Sequence, residues 1–181
     1  MKVADIRTAF ETRGGRIYEG ELVTVLEHSL QTAALAQAGG ATDALIAASL
    51  LHDLGHLLND QGETPTARGI DDLHQYIALP FLRGEFGGAV LEPIRLHVDA
   101  KRFLCCDRPA YFEQLSLDSK RSLALQGGIY SQAEAAAFAA RPYAADAVRL
   151  RQWDDRAKVA GGATPGWAHF EAILRKVASS N

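Results

Sequence analysis

The amino-acid sequence predicts an all-α protein, a single domain over residues 1–181. Apolar residues recur at the three-to-four spacing of a buried helix face along most of the chain, and the alternating pattern of a half-buried strand is scarce. Thr, Ser and Asp caps on one side and paired glycines on the other bracket the periodic stretches. With 181 residues and 48% hydrophobic composition the chain can bury one sizeable core, and general disorder is excluded. A net charge of −3 without a run of Lys or Arg gives no support for a nucleic-acid or membrane-surface partner. No apolar stretch approaches the length of a bilayer span. Met1-Lys2-Val3-Ala4-Asp5-Ile6-Arg7 carries charges where an export signal needs its apolar segment, so a cytoplasmic location is expected. The two cysteines, Cys105 and Cys106, are neighbours; a bridge between them would be strained, and they read as small apolar residues.

Taken in order, Val3 to Thr12 makes an amphipathic helix stopped by Gly14-Gly15. From Glu21 to Ala38, Leu22, Val25, Leu26, Leu30, Ala33, Ala34 and Ala36 fall on a helical face that Gly39-Gly40 ends. Thr42 caps the next helix, whose Ala44, Leu45, Ala47, Ala48, Leu50 and Leu51 predict burial on nearly all sides. Residues 60–70 read as a loop, and Asp71 or Asp72 opens a helix to about Leu82. Ala89 to Leu104 is a longer helix in which Pro93 must fall in the first turn or kink it. Ser116 caps a helix ending at Gly127-Gly128, and Ser131-Gln132-Ala133-Glu134 is a capping box for the following one. Two more are expected, from about Pro142 to Ala157 and from Thr164, with Pro165 in its first turn, to about Ala178.

The residues that do not belong in such a core carry the chemistry. His52-Asp53 ends the most apolar helix, where two polar groups need partners. His28 lies between Leu26 and Leu30, and His97 is bracketed by Ile94, Leu96 and Val98. One buried histidine is ordinary; several on different helices would each cost desolvation unless they share a purpose, and a common metal is one. With Asp53 and Asp154 as carboxylates, four imidazoles and two carboxylates are too many for one catalytic ion and suit two, with positions left open for substrate.

The ordered set His28, His52-Asp53, His74, His97 and Asp154 resembles the HD-domain superfamily, in the variant that holds a dinuclear centre. The resemblance implies an all-helical HD bundle with a buried dinuclear metal site. One metal would sit on His28, His52, Asp53 and Asp154, and a second on Asp53, His74 and His97. The ligand set does not choose between metal-dependent phosphohydrolases and mixed-valent di-iron oxygenases. Three further stretches resemble the phosphonate-cleaving oxygenases of PhnZ and TmpB type, more distantly related to myo-inositol oxygenase. They are Tyr18 and Glu21 ahead of Leu26-Glu27-His28-Ser29-Leu30-Gln31, the run His97-Val98-Asp99-Ala100-Lys101, and Ser116-Leu117-Asp118-Ser119 with Gln126-Gly127-Gly128.

By that resemblance Tyr18 and Glu21 gate the site, Lys101, Ser119 and Gln126 hold the phosphonate, and Glu21 faces the substrate's amine end. The implied cofactors are two Fe ions, Fe(II)/Fe(III), with O2 as co-substrate. The implied reaction is cleavage of the C–P bond of a 1-hydroxyalkylphosphonate, 2-amino-1-hydroxyethylphosphonate or an N-methylated relative, giving phosphate and a carboxylic acid such as glycine. A phosphohydrolase acting on a phosphate ester is the alternative. His97 and Lys101 are four apart and share a helix face, which places the lysine within reach of an oxyanion on the metal. His56 reads as a supporting residue and His169 as structural. A trimethylated amine would want an aromatic wall, for which Tyr18, Phe103, Tyr111 and Tyr130 are available. Gln75 stands where many relatives have a glutamate.

Overall fold

The computed structural model describes residues 1–18, 21–59, 61 and 65–178. Among them there is no strand, only an isolated bridge between Ile17 and Thr24. The helices are α1 (Val3–Arg13), α2 (Val25–Ala38), α3 (Asp43–Leu51), α4 (Leu54–Leu58), α5 (His74–Ile77), α6 (Leu79–Leu82), α7 (Gly88–Asp107), α8 (Pro109–Gln114), α9 (Leu117–Leu125), α10 (Gln132–Ala139), α11 (Ala144–Asp154) and α12 (Trp167–Val177). A single 3-10 turn, Thr66–Arg68, interrupts the 60–70 loop, of which residues 60 and 62–64 lie outside the described residues.

The bundle is organised around α3 and α7. Every residue of α3 from Leu45 to Leu51 is buried, as its unbroken apolar run demands. It packs against α2, α7, α11 and α12, and α7 packs in turn on α10 and α11. The main core joins Leu45, Leu50, Leu51, Leu54, Ile94, Leu150 and Phe170. Full burial of one such side chain stabilises by about 1.5–3 kcal/mol, and truncating Leu51 to alanine would cost about 2–5 kcal/mol.

Several boundaries differ from the sequence reading for local reasons. α2 starts at Val25, not Glu21, because the Thr24 hydroxyl accepts from Glu27 N–H while the Glu27 carboxylate accepts from Thr24 N–H. The helix expected from Asp71 or Asp72 begins only at His74, since Leu73 is left-handed at φ 53°. It then divides into α5 and α6, because Pro80 has no N–H to give the Tyr76 carbonyl. α7 runs on to Asp107 with Pro93 in its second turn, beyond the first turn where a proline is free of cost. α11 begins after left-handed Tyr143 (φ 64°) and ends at Asp154. α12 begins at Trp167 behind an extended Gly166 cap, which leaves Pro165 outside it. Cys105 is buried, Cys106 half-buried, and both are free thiols.

Candidate metal centre

The fold delivers the polar residues to one place. Because α3 is buried on all sides, His52 at its C-cap and Asp53, which opens α4, emerge in the middle of the protein. The capping box of α2 sets His28 at the fourth residue of that helix. His97 projects from the middle of α7, Asp154 is the last residue of α11 and His74 the first of α5. Gly55 makes the last of these possible: a Cβ there would lie 2.1 Å from the His74 carbonyl oxygen, so only glycine lets α4 and α5 meet backbone to backbone.

Two half-sites share Asp53. On one side Asp53 Oδ2 lies 3.5 Å from His28 Nε2 and 3.3 Å from His52 Nε2. Those two nitrogens are 3.3 Å apart, and Asp154 Oδ1 is 3.3 Å from His28 Nε2. On the other side Asp53 Oδ1 lies 3.5 Å from His74 Nε2 and 3.8 Å from His97 Nε2, and those nitrogens are 3.0 Å apart. His56 also turns Nε2 toward Asp53 Oδ1, at 3.7 Å.

The outer face of each ring fixes which nitrogen looks inward. His28 Nδ1–H donates to the Ala157 carbonyl (2.8 Å), His52 to Ser49 (2.9 Å) and His97 to Ile94 (2.7 Å). His74 Nδ1–H donates to Asp72 Oδ1 (2.8 Å). With Nδ1 carrying the proton in all four, each Nε2 presents a lone pair to the centre. Inward nitrogens and carboxylate oxygens are then all acceptors, and Asp53 Oδ2 is buried with no hydrogen-bond partner among the described residues. A set of convergent acceptors with neutral imidazoles needs a cation, supplied by metal or, in its absence, in part by a proton on His28. Ligands at about 2.1 Å from a common ion and at right angles stand about 3 Å apart, which is the spacing of these nitrogens. The residues fit a divalent metal centre, with Asp53 common to the two half-sites.

The electrostatics agree. Burial would raise the Asp53 carboxyl, but His52 and His56 hold it well below the carboxylate range. Burial opposes ionisation of Asp154 too, and Arg151 outweighs it. Burial, reinforced by His74 and His52, pushes His97 well below the usual histidine range, keeping it a neutral ligand. Burial also disfavours a charged His28, but Asp154 and Asp53 overcome it and lift its pKa to about 9, as expected where a cation belongs.

Beside the second half-site lies a small cavity of about 30 Å³. Its wall brings together Tyr18, Glu21, Lys101, Ser119 and Gln126, every substrate residue expected from the sequence. Tyr18 stacks flat on His28, with ring centroids 4.1 Å apart. Lys101 is buried on α7 and donates to Ser122 Oγ at 2.7 Å. Ser119 is in the first turn of α9, with its N–H on Ser116 Oγ, and Gln126, which caps the other end of α9, has a buried Oε1 without a partner among the described residues. His169 lies apart from the centre, bonded to Gln37 (2.9 Å).

Sequence reasoning missed four residues here. Arg151, buried, meets Asp154 Oδ2 at 2.8 Å and also pairs with Asp155, whose other oxygen accepts from the Tyr111 hydroxyl. The spacing of three and four residues from Arg151 to Asp154 and Asp155 was the available signal. Asp72 holds His74 and lies 2.7 Å from His56 Nδ1. Lys158 meets Glu21, and Thr66 from the loop bonds Asp118.

A helical bundle in which a His-Asp pair and four further helices converge on one cluster of metal-ligating side chains defines a class of metalloprotein. The HD domain family model matches residues 25–120, and the chain belongs to that family. It is 46% identical over 152 residues to the hydroxymethylphosphonate dioxygenase of Gimesia maris, covering 83% of this chain and 76% of that one. It is 35% identical over 168 residues to the [1-hydroxy-2-(trimethylamino)ethyl]phosphonate dioxygenase (glycine-betaine-forming) of Leisingera caerulea, covering 93% and 86%.

Proposed function

We propose that the protein is a di-iron oxygenase that uses O2 to cleave the C–P bond of a 1-hydroxyalkylphosphonate, releasing phosphate and a carboxylic acid. The observation that carries this reading is the single carboxylate of Asp53 standing between two imidazole pairs, one of them open to a cavity lined by Lys101, Ser119 and Gln126. The names of the two relatives support it, since both are hydroxyphosphonate dioxygenases.

In this reading His28, His52, Asp154 and Asp53 would hold one iron, and His74, His97 and Asp53 the other. The iron pair, when bound, supplies the redox chemistry with dioxygen and a place for the substrate to chelate. The chain supplies the rest. Lys101 offers a buried ammonium four residues from His97 on the same helix, fixed by Ser122, where it neutralises a phosphonate oxygen. Ser119 and Gln126 add directed hydrogen bonds from the two ends of α9. Tyr18, packed on His28, covers the centre until substrate enters.

The test is to give iron-loaded protein hydroxymethylphosphonate and 2-amino-1-hydroxyethylphosphonate and follow oxygen and phosphate together. Oxygen uptake matching phosphate release on either compound is expected. Ester hydrolysis without oxygen, supported by manganese or magnesium, would replace this reading with a phosphohydrolase.

A further inference from the structure

Glu21 is not waiting for a cation, because one is already there. Its Oε1 receives Lys158 Nζ at 2.7 Å, both side chains are about four-fifths buried, and both line the cavity that holds Lys101, Ser119 and Gln126. Lys158 Nζ also stands 3.4 Å from Ser116 Oγ and 5.7 Å from the centroid of the Tyr18 ring. Nor is Lys158 a loose arm. Ala157, before it, accepts from His28 Nδ1 (2.8 Å); Val159, after it, exchanges two hydrogen bonds with the Gln31 carboxamide (2.8 and 3.0 Å). Both neighbours are thus tied to α2, which fixes where the lysine can reach.

Resting on the oxygenase reading above, we propose that Lys158 is a specificity-determining residue: by occupying Glu21 it suits the pocket to a hydroxyphosphonate that carries no cationic nitrogen. An ammonium group entering beside Glu21 must displace the lysine or sit next to it. The first loses the existing pair, and the second sets like charges together in a partly desolvated wall. A trimethylated amine fares no better, since an aromatic wall is missing from the lining. Tyr18 is the one tyrosine, phenylalanine or tryptophan among the described lining residues, and its ring is engaged by His28 and Lys158. Tyr111 is taken up by Arg151 and Asp155, while Phe103 and Tyr130 pack on Phe138 in a separate cluster.

The experiment compares hydroxymethylphosphonate with 2-amino-1-hydroxyethylphosphonate on the iron-loaded native protein, K158R, K158Q and K158M. It measures kcat/KM and, without oxygen, the dissociation constant of each phosphonate from its effect on the iron's electron paramagnetic resonance signal. The native protein and K158R should favour the amine-free compound at least tenfold in both readouts. K158Q and K158M should shrink that ratio tenfold or more by gaining affinity for the amine-bearing one. Native protein that prefers the amine-bearing substrate, or a ratio unmoved in folded K158Q, overturns the role of Lys158 while leaving the oxygenase standing. Cleavage of neither compound by native protein overturns the oxygenase reading itself. Circular dichroism identifies a variant that has lost its fold, and the native ratio decides even then.

Discussion

The two half-sites on either side of Asp53 are built differently. His28 on α2 and His52 at the end of the buried α3 are fully enclosed and send Nδ1 to backbone carbonyls, as His97 on α7 does in the other half. His74 comes from a one-turn helix behind a left-handed leucine, is held by the Asp72 side chain, and faces the cavity with His56 and His97. Main-chain acceptors deep in a bundle cannot be displaced without unfolding it, whereas a carboxylate on an irregular segment can be tuned. In the proposed centre the first half would be the anchoring position and the second the one nearer the incoming substrate.

The largest effect is expected where the halves meet. Asp53→Ala removes the bridge, and both ions should be lost, with activity down by at least about 10³-fold; metal analysis alongside oxygen uptake measures it. One iron retained at full occupancy would show that the halves do not depend on the shared carboxylate. Gly55→Ala strikes only the second half, because its new Cβ would collide with the His74 carbonyl. It should keep the first iron, lose most of the second and lower activity by about 10- to 100-fold. Asp72→Asn is gentler: it leaves His74 and His56 a weaker acceptor, and the second iron should bind about tenfold more weakly at equilibrium dialysis, with the first unchanged.

Protons distinguish the halves as well. In metal-free protein the His28 pKa lies near 9, above its ordinary 6.5. The stability this confers is complete below 6.5 and fades as pH rises through about 9, so the melting temperature of the metal-free protein should fall over that interval. Metal must replace that proton, so affinity at the first position should rise with pH across the same interval. His97, kept neutral by burial, holds no proton that metal would have to replace. A pH-independent melting curve would remove the contrast. The smallest effect belongs to Leu73→Gly, which relieves the positive φ ahead of His74 and should change stability by no more than about 1 kcal/mol in urea unfolding.

The anchoring half was the more legible in sequence. His52-Asp53 ends an apolar run that can only be buried, and His28 follows a capping box that also marks the true start of α2, had Thr24 and Glu27 been weighed above the apolar pattern. His74 could be named by resemblance but not placed. Its position depends on the φ of Leu73 and on the close approach of Gly55, neither of which has a periodic signature. Lys158 and Asp72 could not be assigned from spacing at all, because the partner of the first lies 137 residues away and the second works through a side chain in an irregular segment. Pairings across the fold are set by tertiary packing, and local pattern carries no record of them.

The bond from the His28 ring to Ala157 joins the anchoring metal ligand to the residue just before Lys158. Filling the centre would immobilise that ring and, through it, the stretch of backbone from which the lysine projects. Discrimination among substrates would then sharpen as the centre is filled, because the residue proposed to set it follows the one that holds the metal ligand's ring.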